Sequence, residues 1–481
     1  MEFGQIKRMT VKNNSQKPSL WRISSGERRV ILVLGDLLVT VVALFVALYF
    51  WAQRDWLHFS WSFLLERPPF WFYLLPLLWV ALLIEIYDVR RASRRRDVLK
   101  GVGIAAVISL LLYLILYFSA QTPLPRRGVF AFIIVSAWLT ILWRLVYIRV
   151  FTAPLFMRRV LIIGAGRAGS ALAKVINQIH PNPFYLVGFI DDNVSKINTQ
   201  IEHCPVLGGC DQLLQIIQRE GISDLVFSIS GEMSPAMFQA LQSAAEQGVE
   251  ITTMPMIYEE LLGRVPILLL QSDWLVRSFA DEARTGGFYE IAKRFLDILG
   301  GLVGGILLVF SYPLIALAIL LDTGHPILYS QIRLGKNGRV YKIVKYRTMR
   351  RDAEKDGIAR PAIQNDERVT RAGYFLRKSH LDELPQFINV LQGDMSLVGP
   401  RAERCVLVEE LQNNVPFYRA RLLAKPGLTG WAQVNFGYAA TVEATTIKLE
   451  YDLYYIKHRN LFLDIVILVR TVGAVVGLRG Q

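Results

Sequence analysis

The sequence contains little cysteine and little histidine, with three and six residues respectively among 481. Cys204, Cys210 and Cys405 are too few for a disulfide framework, and they fit a reducing compartment. Although Cys204 follows His203, no second Cys/His pair stands at zinc spacing, so no zinc site is predicted. Charged residues are also scarce at 20%, whereas 53% of the chain is hydrophobic. These shortages exclude a secreted disulfide scaffold and indicate a membrane protein.

The apolar residues are clustered, and the first four long runs occupy residues 30–52, 70–87, 101–120 and 129–151. About 20 apolar residues are enough for a helix to cross the ~30 Å hydrocarbon core of a bilayer. Basic residues precede the first run, in a leader at 1–29, and also separate the second run from the third: Arg90, Arg91, Arg94, Arg95, Arg96 and Lys100. Lys and Arg collect on the cytoplasmic side of membrane proteins. We therefore predict four transmembrane helices at 30–152 in a bacterial inner membrane, with both ends of the bundle facing the cytosol.

The net charge of +14 has several physical explanations. Nucleic acid, an anionic membrane surface and phosphorylated substrates all attract a basic protein. Because many of the cations flank apolar runs, they set membrane topology, and nucleic-acid binding is not predicted.

A fifth apolar run, 295–321, contains Pro313 near its middle. A fifth full span would place the rest of the chain outside the cell. Proline removes a backbone hydrogen bond and kinks a helix. We expect a re-entrant membrane helix at 286–323, broken at Ser311 and Pro313; an ordinary span with a proline kink is the alternative.

Residues 153–285 alternate between short apolar strands and helices, which predicts a parallel α/β, Rossmann-like domain. Gly164, Gly166 and Gly169 follow the first strand and begin a helix, as in the dinucleotide-binding fingerprint. Asp191 follows the second strand, where an acid can hold a ribose. Tight packing of strand against helix explains the same glycines without a ligand, so nucleotide binding stays one of two interpretations.

The C-terminal region, 324–481, is mixed and polar, and adjacent carboxylates Asp382 and Glu383 are its strongest chemical signal. A carboxylate can attack phosphorus to form an acyl phosphate, and a neighbouring carboxylate can hold Mg²⁺. The alternative is structural, because Ser379-x-x-Asp382 is close to a helix capping box. Pro385 counts against Ser379 as a cap, since it would then fall inside the helix.

Several collinear motifs extend over nearly 200 residues: Pro-Ile-Leu-Tyr-Ser-Gln (326–331), Tyr-Lys-Ile-Val-Lys-Tyr-Arg-Thr-Met (341–349), Leu-Asp-Glu-Leu-Pro-Gln (381–386), Gly-Asp-Met-Ser-Leu-Val-Gly-Pro-Arg (393–401), Lys-Pro-Gly-Leu-Thr-Gly-Trp-Ala-Gln-Val-Asn (425–435) and Tyr-Asp-Leu-Tyr-Tyr-Ile-Lys (451–457). With them, residues 289–481 closely resemble the bacterial sugar transferases, which are polyprenyl-phosphate hexose-1-phosphate transferases that initiate exopolysaccharide, capsule or O-antigen assembly. The four spans and the α/β domain resemble the large subclass of this family.

The resemblance implies a function and assigns roles. The enzyme would transfer hexose-1-phosphate from a UDP-sugar to undecaprenyl phosphate and release UMP. Asp382 would be the nucleophile that forms an aspartyl-phosphosugar, and Glu383 its partner, with both carboxylates at a Mg²⁺ site. It also implies four residues that bind substrate or phosphate: Lys345, Arg401, Lys425 and Asp452.

The chain departs from the family pattern at two places that bear on substrate. Ala402 replaces the proline that usually follows Gly-Pro-Arg, and Asn435-Phe436-Gly437 stands where Asn-Gly-Arg is common. The identity of the hexose therefore stays open. The size of the chain is compatible with a homodimer.

Two other classes of protein are alternatives. A membrane-bound nucleotide-sugar dehydratase or epimerase would use a Tyr-x-x-x-Lys pair, and Tyr341 and Lys345 have that spacing. That pair falls outside the glycine-bearing domain, which argues against this chemistry. A membrane scaffold without enzymatic activity is the second alternative, and loss of turnover on removing a carboxylate discriminates against it.

Overall fold

The computed structural model describes residues 25–87, 89–119, 125–151, 158–179, 182, 184–229, 231, 233–269, 287–351, 353, 366–437 and 441–476. The chain divides into two compact units, Met1–Thr253 and Met254–Gln481. Most of the predicted basic leader, residues 1–24, lies outside the described residues.

Long apolar helices form the first part of the N-terminal unit. Three stretches, Glu27–Ala52, Arg95–Phe118 and Arg126–Val150, are long and apolar enough to cross a membrane. The helices described in this part are Ser25–Ala52 (α1), Trp61–Glu66 (α2), Leu75–Leu82 (α3), Val89–Ala92 (α4), Arg95–Ser119 (α5) and Arg126–Phe151 (α6). The first, third and fourth predicted spans are thus confirmed as helices of spanning length.

The second predicted span, 70–87, is not one continuous helix. Phe70–Leu74 and Ile84–Tyr87 are 3₁₀ turns on either side of α3. Because a 3₁₀ turn rises about 2.0 Å per residue and an α-helix about 1.5 Å, the first turn and α3 together rise roughly 22 Å. That is less than the ~30 Å hydrocarbon core. The bundle therefore combines three long helices with one broken apolar segment.

A buried ion pair joins α1 to α6. Asp36 and Arg144 are both fully buried, with 2.5 Å between Oδ2 and Nη2. Arg144 also donates from Nη1 to the carbonyl of Ile86 at 3.0 Å. An unpaired charge is expensive in a membrane, so an acid within a span is expected to face the bundle interior. Asp36 does so.

A six-stranded sheet forms the second part of the N-terminal unit, in the order β3–β4–β2–β1–β5–β6. Its strands are Arg159–Ile163 (β1), Tyr185–Ile190 (β2), Gln200–Ile201 (β3), Cys204–Gly208 (β4), Asp224–Phe227 (β5) and Glu250–Thr253 (β6). The described helices between them are Arg167–Gln178 (α7), Leu213–Glu220 (α8) and Pro235–Glu246 (α9). All neighbouring strands are parallel except β3 and β4. This order, with β1 central, is that of a doubly wound sheet, which confirms a Rossmann-like domain.

The C-terminal unit begins earlier than the predicted boundary at 285. Met254–Leu262 (α10) follows β6 directly, yet its buried side chains pack with the C-terminal unit. Glu259 in α10 accepts hydrogen bonds from Lys457 and His458, and the Gly263 carbonyl accepts one from the Trp431 indole at 2.7 Å. These polar contacts tie the segment to the rest of the C-terminal unit. They join residues 168 to 199 positions apart, so local sequence patterns do not reveal them.

The C-terminal unit mixes helices with two small sheets. Strands Leu328–Leu334 (β7) and Val340–Tyr346 (β8) form an antiparallel hairpin, and Ser396–Val398 (β9) pairs in parallel with Gly427–Thr429 (β10). Its other described helices are Gly287–Thr323 (α11), Arg371–Lys378 (α12), Gln386–Gln392 (α13), Cys405–Asn414 (α14), Trp431–Asn435 (α15), Val442–His458 (α16) and Leu461–Val476 (α17). This arrangement agrees with the predicted mixed α/β domain.

Helix α11 has 37 residues, is apolar enough to cross a membrane, and contains Pro313 and Ser311. Its first half packs on α13, where Gly304 allows close approach, since a Cβ at that position would lie 2.2 Å from the Phe387 ring. Its second half packs on β8 and α12 through Ile315 and Ile319. Both halves of α11 therefore contact the same unit.

Candidate active site

Asp382 and Glu383 lie on a short 3₁₀ turn, Leu381–Glu383, between α12 and α13. His380 adopts a left-handed conformation, with φ of 57°, just before this turn. Ser379 ends α12 and donates its hydroxyl to the Phe375 carbonyl at 2.8 Å. It therefore does not cap a helix that begins with the two acids, as the structural alternative requires. Both carboxylates are partly exposed and open to a ligand.

Two cations from separate elements converge on Glu383. Lys345, near the end of β8, places Nζ 2.8 Å from Oε1 of Glu383. Arg401, which follows β9, places Nη2 3.0 Å from the same oxygen. Partial burial opposes the charge of Glu383, yet these two cations hold the pKa of its carboxyl well below the usual range. Glu383 is thus ionised and fixed in position.

The neighbouring Asp382 differs in having no fixed partner. Its carboxylate makes no hydrogen bond or ion pair with any residue that the structure describes. Burial, together with the charge of Glu383, raises the pKa of Asp382 to about 6. At neutral pH the carboxylate is mainly ionised and more basic than an ordinary aspartate. An ionised carboxylate of raised basicity can act as a nucleophile.

Arg377, in the last turn of α12, is a site residue that the sequence reasoning missed. Its Nε donates to the Thr348 hydroxyl at 3.0 Å. Burial lowers the pKa of Arg377, while the charge of Asp382 opposes that shift. The sequence feature that could have indicated this residue is its position five residues before Asp382, at the end of an amphipathic helix. The site therefore brings three cations, Lys345, Arg377 and Arg401, to two acids.

Asp452 lies in a separate, buried cluster of charges. It is 2% exposed and accepts a hydrogen bond from Nη2 of Arg421 at 2.9 Å. The same nitrogen donates to the Arg401 carbonyl at 3.0 Å. Glu403 is 3.6 Å from Arg421 and 2.9 Å from Lys448. Among the described contacts, Asp452 is linked to the dyad through Arg421 and the backbone of Arg401.

Lys425 is also apart from the dyad. It lines a pocket beside the first turns of α11, together with Lys293 and Asp297. None of Asp382, Glu383, Lys345 and Arg401 lines that pocket. Of the four predicted substrate-binding residues, the structure therefore brings Lys345 and Arg401 to the dyad and places Asp452 and Lys425 elsewhere.

The dyad offers oxygen ligands for a hard cation. Asp382 has both carboxylate oxygens available, and the described bonds of Glu383 use only Oε1. Within the described residues there is no group of three or more His, Cys, Asp or Glu that could hold a metal. Two carboxylates suit Mg²⁺, which is commonly bound by one or two carboxylates with water and substrate phosphates.

In the glycine loop of the Rossmann-like domain, one backbone amide is bonded to the protein's own Asp191. Gly164 has φ of 101°, and a Cβ at Gly169 would lie 2.1 Å from the Gly164 carbonyl oxygen, so both positions need glycine. Gly166 caps α7, and a Cβ there would meet nothing. Asp191 accepts hydrogen bonds at 2.8 Å from the Ala165 amide and at 3.0 Å from the side chain of Lys196. Asp191 is therefore bonded to the loop and to Lys196, and its carboxylate would have to leave them to hold a ribose. Nucleotide binding here stays a prediction.

Tyr341 and Lys345 lie on one strand, β8, but they do not form a catalytic pair. Lys345 is bound to Glu383. Burial raises the pKa of the Tyr341 phenol, which makes it a weaker acid. A tyrosine that serves as a base at neutral pH needs the opposite shift. The geometry therefore counts against dehydratase chemistry.

Two family models match the chain. The model described as bacterial sugar transferase matches residues 288–477, and the model described as CoA-binding domain matches residues 82–255. The first contains the dyad with all its cations, and the second contains the glycine loop.

Named relatives point the same way. UDP-glucose:undecaprenyl-phosphate glucose-1-phosphate transferase of Xanthomonas campestris pv. campestris is 30% identical over 67% of this chain and 67% of its own length. UDP-N-acetylgalactosamine-undecaprenyl-phosphate N-acetylgalactosaminephosphotransferase of Aeromonas hydrophila is 41% identical over 46% of this chain, and the match spans half of that protein. A putative undecaprenyl-phosphate N-acetylgalactosaminyl 1-phosphate transferase of Bacillus subtilis is 45% identical over 31% of this chain and 81% of that protein.

A paired-carboxylate site on a mixed α/β domain, joined to long apolar helices, defines a membrane-associated group-transfer protein. The chain belongs to the bacterial sugar transferase family, and its Rossmann-like domain and N-terminal helices place it in the large subclass. Its bacterial relatives and long apolar helices fit a multi-pass protein of the inner membrane.

Proposed function

We propose that this protein transfers hexose-1-phosphate from a UDP-sugar to undecaprenyl phosphate and releases UMP. The observation that carries the proposal is the contrast within the dyad, where Glu383 is held by Lys345 and Arg401 while Asp382 has no partner among the described residues. A free carboxylate beside fixed cations suits nucleophilic attack on an anionic phosphate. The names of the relatives supply the donor and acceptor classes.

The reaction proceeds in two displacements. An oxygen of Asp382 attacks the phosphorus bonded to the hexose, and the bond from that phosphorus to the bridging oxygen of UMP breaks. The electron pair leaves with UMP, and an aspartyl-phosphosugar is formed. An oxygen of undecaprenyl phosphate then attacks the same phosphorus, and the bond to Asp382 breaks. Because no bond to the sugar C1 changes, the anomeric configuration is retained.

The cations of the site act on the charge of the transferred group. Lys345 and Arg401 lie where they can donate to phosphate oxygens while remaining close to Glu383. Such preorganised donors stabilise charge that develops in the transition state. Asp382 and Glu383 would hold Mg²⁺, which would neutralise charge on the diphosphate.

We also propose that α11 enters the membrane and returns to the cytosolic side. A straight helix of 37 residues would be about 55 Å long, so its two ends would lie on opposite sides of a ~30 Å core. The contacts of both halves with one compact unit, through Gly304 on one side of Pro313 and Ile319 on the other, favour a bend at Ser311 and Pro313. The catalytic domain would then stay in the cytosol, where UDP-sugars are available.

The first experiment measures UMP release from purified protein in nanodiscs containing undecaprenyl phosphate and Mg²⁺. The donor panel contains UDP-glucose, UDP-galactose and their N-acetylated forms, because the relatives are named for more than one sugar. We expect multiple turnovers of UMP release from one donor only when the lipid is present, and loss of this release in Asp382→Asn and with chelator. Mass spectrometry of the Asp382 peptide after incubation with donor alone should detect the phosphosugar adduct.

A matched control is Asp394→Asn, which removes a carboxylate 12 positions further along the chain, outside the dyad. We expect this variant to retain turnover. Absence of UMP with every donor, or full activity in Asp382→Asn, contradicts the proposal.

A further inference from the structure

A second pocket in the C-terminal unit is separate from the dyad and has no role in the reaction above. It is an open cleft beside the first turns of α11. Its walls come from α11, the hairpin turn after β7, the end of β9, the segment before β10 and the end of α16. The cleft brings side chains from five separate elements to one place, as a ligand site does.

The charge of this pocket is strongly positive. Five cations line it, against two acids: Lys293, Arg294, Lys336, Lys425 and Arg459, with Glu290 and Asp297. Glu290 is 3.6 Å from Lys336, and Asp297 directs Oδ1 to the Leu397 amide at 2.8 Å and to the Ser396 hydroxyl at 2.9 Å. Both acids are thus engaged by the wall. With Asp464, which pairs with Lys293 at 3.0 Å, five cations stand against three acids, an excess of two positive charges.

Some of these cations are structural. Arg294 donates to the carbonyls of Val390 and Leu391 at 2.8 and 2.6 Å, at the end of α13. Lys293 donates to Asp464 at 3.0 Å. Lys425 differs, because its ammonium group makes no hydrogen bond or ion pair with any residue that the structure describes. It is the lining cation most available to an anion.

The pocket opens beside a membrane-facing surface. Phe288, Ile291 and Phe295 belong to the same turns of α11 as the lining residues, and they are 81%, 72% and 63% exposed. Apolar side chains so exposed on a helix of spanning length indicate contact with lipid. Cations next to such a surface lie at the depth of lipid headgroups.

We propose that this pocket binds the phosphate group of a membrane lipid, with Lys425 as its principal contact. The shared chemistry is a phosphate ester, and the apolar face of α11 assigns it to a lipid instead of a soluble metabolite. The lipid phosphate ties the start of α11 to the segment before β10, whose backbone approaches Gly399, two residues from Arg401. The site is therefore placed to fix the depth of the catalytic domain in the membrane.

The test is native mass spectrometry of the full-length detergent-solubilised protein, titrated separately with phosphatidylglycerol and undecaprenyl phosphate. No sugar donor is present, so the result does not depend on the proposed transfer reaction. Inorganic phosphate and glycerol 3-phosphate are added as soluble competitors. The variants are Lys425→Gln and, as a matched control, Lys342→Gln, because Lys342 is an exposed lysine of the same unit outside the pocket. Thermal unfolding checks that each variant is folded.

We expect Lys425→Gln to weaken binding of the preferred lipid about five-fold, which corresponds to roughly 1 kcal/mol for one lysine near a headgroup. Lys336→Gln should weaken it by a similar factor, and Lys342→Gln should leave it unchanged. The lipid that binds more tightly identifies the source of the phosphate. Equal binding in Lys425→Gln and wild type, equal loss in Lys342→Gln, or displacement by the soluble phosphates at the concentration of the lipid would overturn the proposal.

Discussion

Two clusters of acids and cations in the C-terminal unit have nearly the same composition but opposite characters. The dyad cluster contains Asp382 and Glu383, and its cations are accessible, with the Arg401 side chain 42% and that of Lys345 20% exposed. The second cluster, which we call the Asp452 cluster, contains Asp452 and Glu403 with Arg421 and Lys448. In it the Arg421 side chain is 4% and that of Asp452 2% exposed, whereas Lys448 and Glu403 are 20% and 18% exposed, much like Lys345 and Glu383. The clusters therefore differ in depth at their arginine and aspartate.

The two clusters differ in whether their carboxylates are paired with cations, as well as in how deeply they are buried. Every acid of the Asp452 cluster has a cation within 4 Å, whereas Asp382 has no bonded partner among the described residues. A buried charge must be paired to be tolerated, so a complete set of partners indicates a structural role. A carboxylate left unpaired beside cations is destabilising, and it persists where chemistry requires it. The same residue types therefore serve structure in one cluster and, under the proposed function, reaction in the other.

Replacing Asp382 or Asp452 by asparagine, in separate variants, should give the largest difference between the two clusters. Asp382→Asn should lower turnover by at least about 10³-fold, because the nucleophile is lost, and leave the free energy of unfolding unchanged or slightly raised. Asp452→Asn should lower the free energy of unfolding by about 2 kcal/mol, because Arg421 loses a charged acceptor. UMP release and denaturant unfolding of both variants check the comparison. A destabilised Asp382→Asn would remove the distinction.

Arg421→Gln should destabilise the protein by about 3 kcal/mol, since Asp452 then keeps a buried charge without its cation. The double variant Arg421→Gln with Asp452→Asn should recover part of that loss. Chemical denaturation of the wild type, both single variants and the double variant measures the coupling free energy. Additive losses in this cycle would contradict a direct ion pair.

Arg401→Gln should lower the rate about 10²-fold, because one donor to the transferred phosphate is lost. Arg371→Gln is the matched control, since Arg371 is an exposed arginine of the same unit at the start of α12. The single-turnover rate of UMP release distinguishes the variants. Equal rates in both would show that Arg401 does not act on the substrate.

Glu450, outside both clusters, gives the smallest effect and tests burial of an acid against a single ion pair, with Arg264 at 3.4 Å. Burial raises its pKa to about 7, against the opposing effects of Arg264 and the Ile267 amide. Because this pKa is raised in the folded state, its contribution to stability is present below the unfolded pKa and is lost as the pH rises through 7. Relative to Glu450→Gln, the wild type should lose about 2 kcal/mol of unfolding free energy between pH 5 and pH 7. Parallel pH profiles of the two proteins would contradict the shift.

Much of this organisation is predictable from the sequence, for identifiable reasons. The strand β1 and the glycine turn are local patterns, so the Rossmann-like domain follows from residues close in sequence. Long apolar runs likewise predict α1, α5 and α6, whereas the broken second segment depends on 3₁₀ geometry that hydropathy does not detect. Asp382 and Glu383 are predictable as candidate site residues because two carboxylates stand next to each other in the sequence.

The parts that were not predictable depend on distant contacts. Asp452 has the composition of a site residue, but only folding shows that Arg421 separates it from Glu383. Lys425 lies in a motif next to the catalytic segments, yet its side chain lines another pocket. Arg377 was missed because its closeness to Asp382 depends on how the chain turns after α12. The packing of α10 joins positions almost 200 residues apart.

The described residues that contact the dyad or its cations begin at Lys345 and Thr348 and include Arg401. The last of them along the chain are Arg421, which donates to the Arg401 carbonyl, and its partner Asp452. The dyad and these partners are therefore encoded in one continuous stretch of about a hundred codons. A gene segment of this length can be fused to another gene or deleted as one piece, with the whole site inside it. The described contacts of the dyad therefore include no residue of the N-terminal helices or of the Rossmann-like domain.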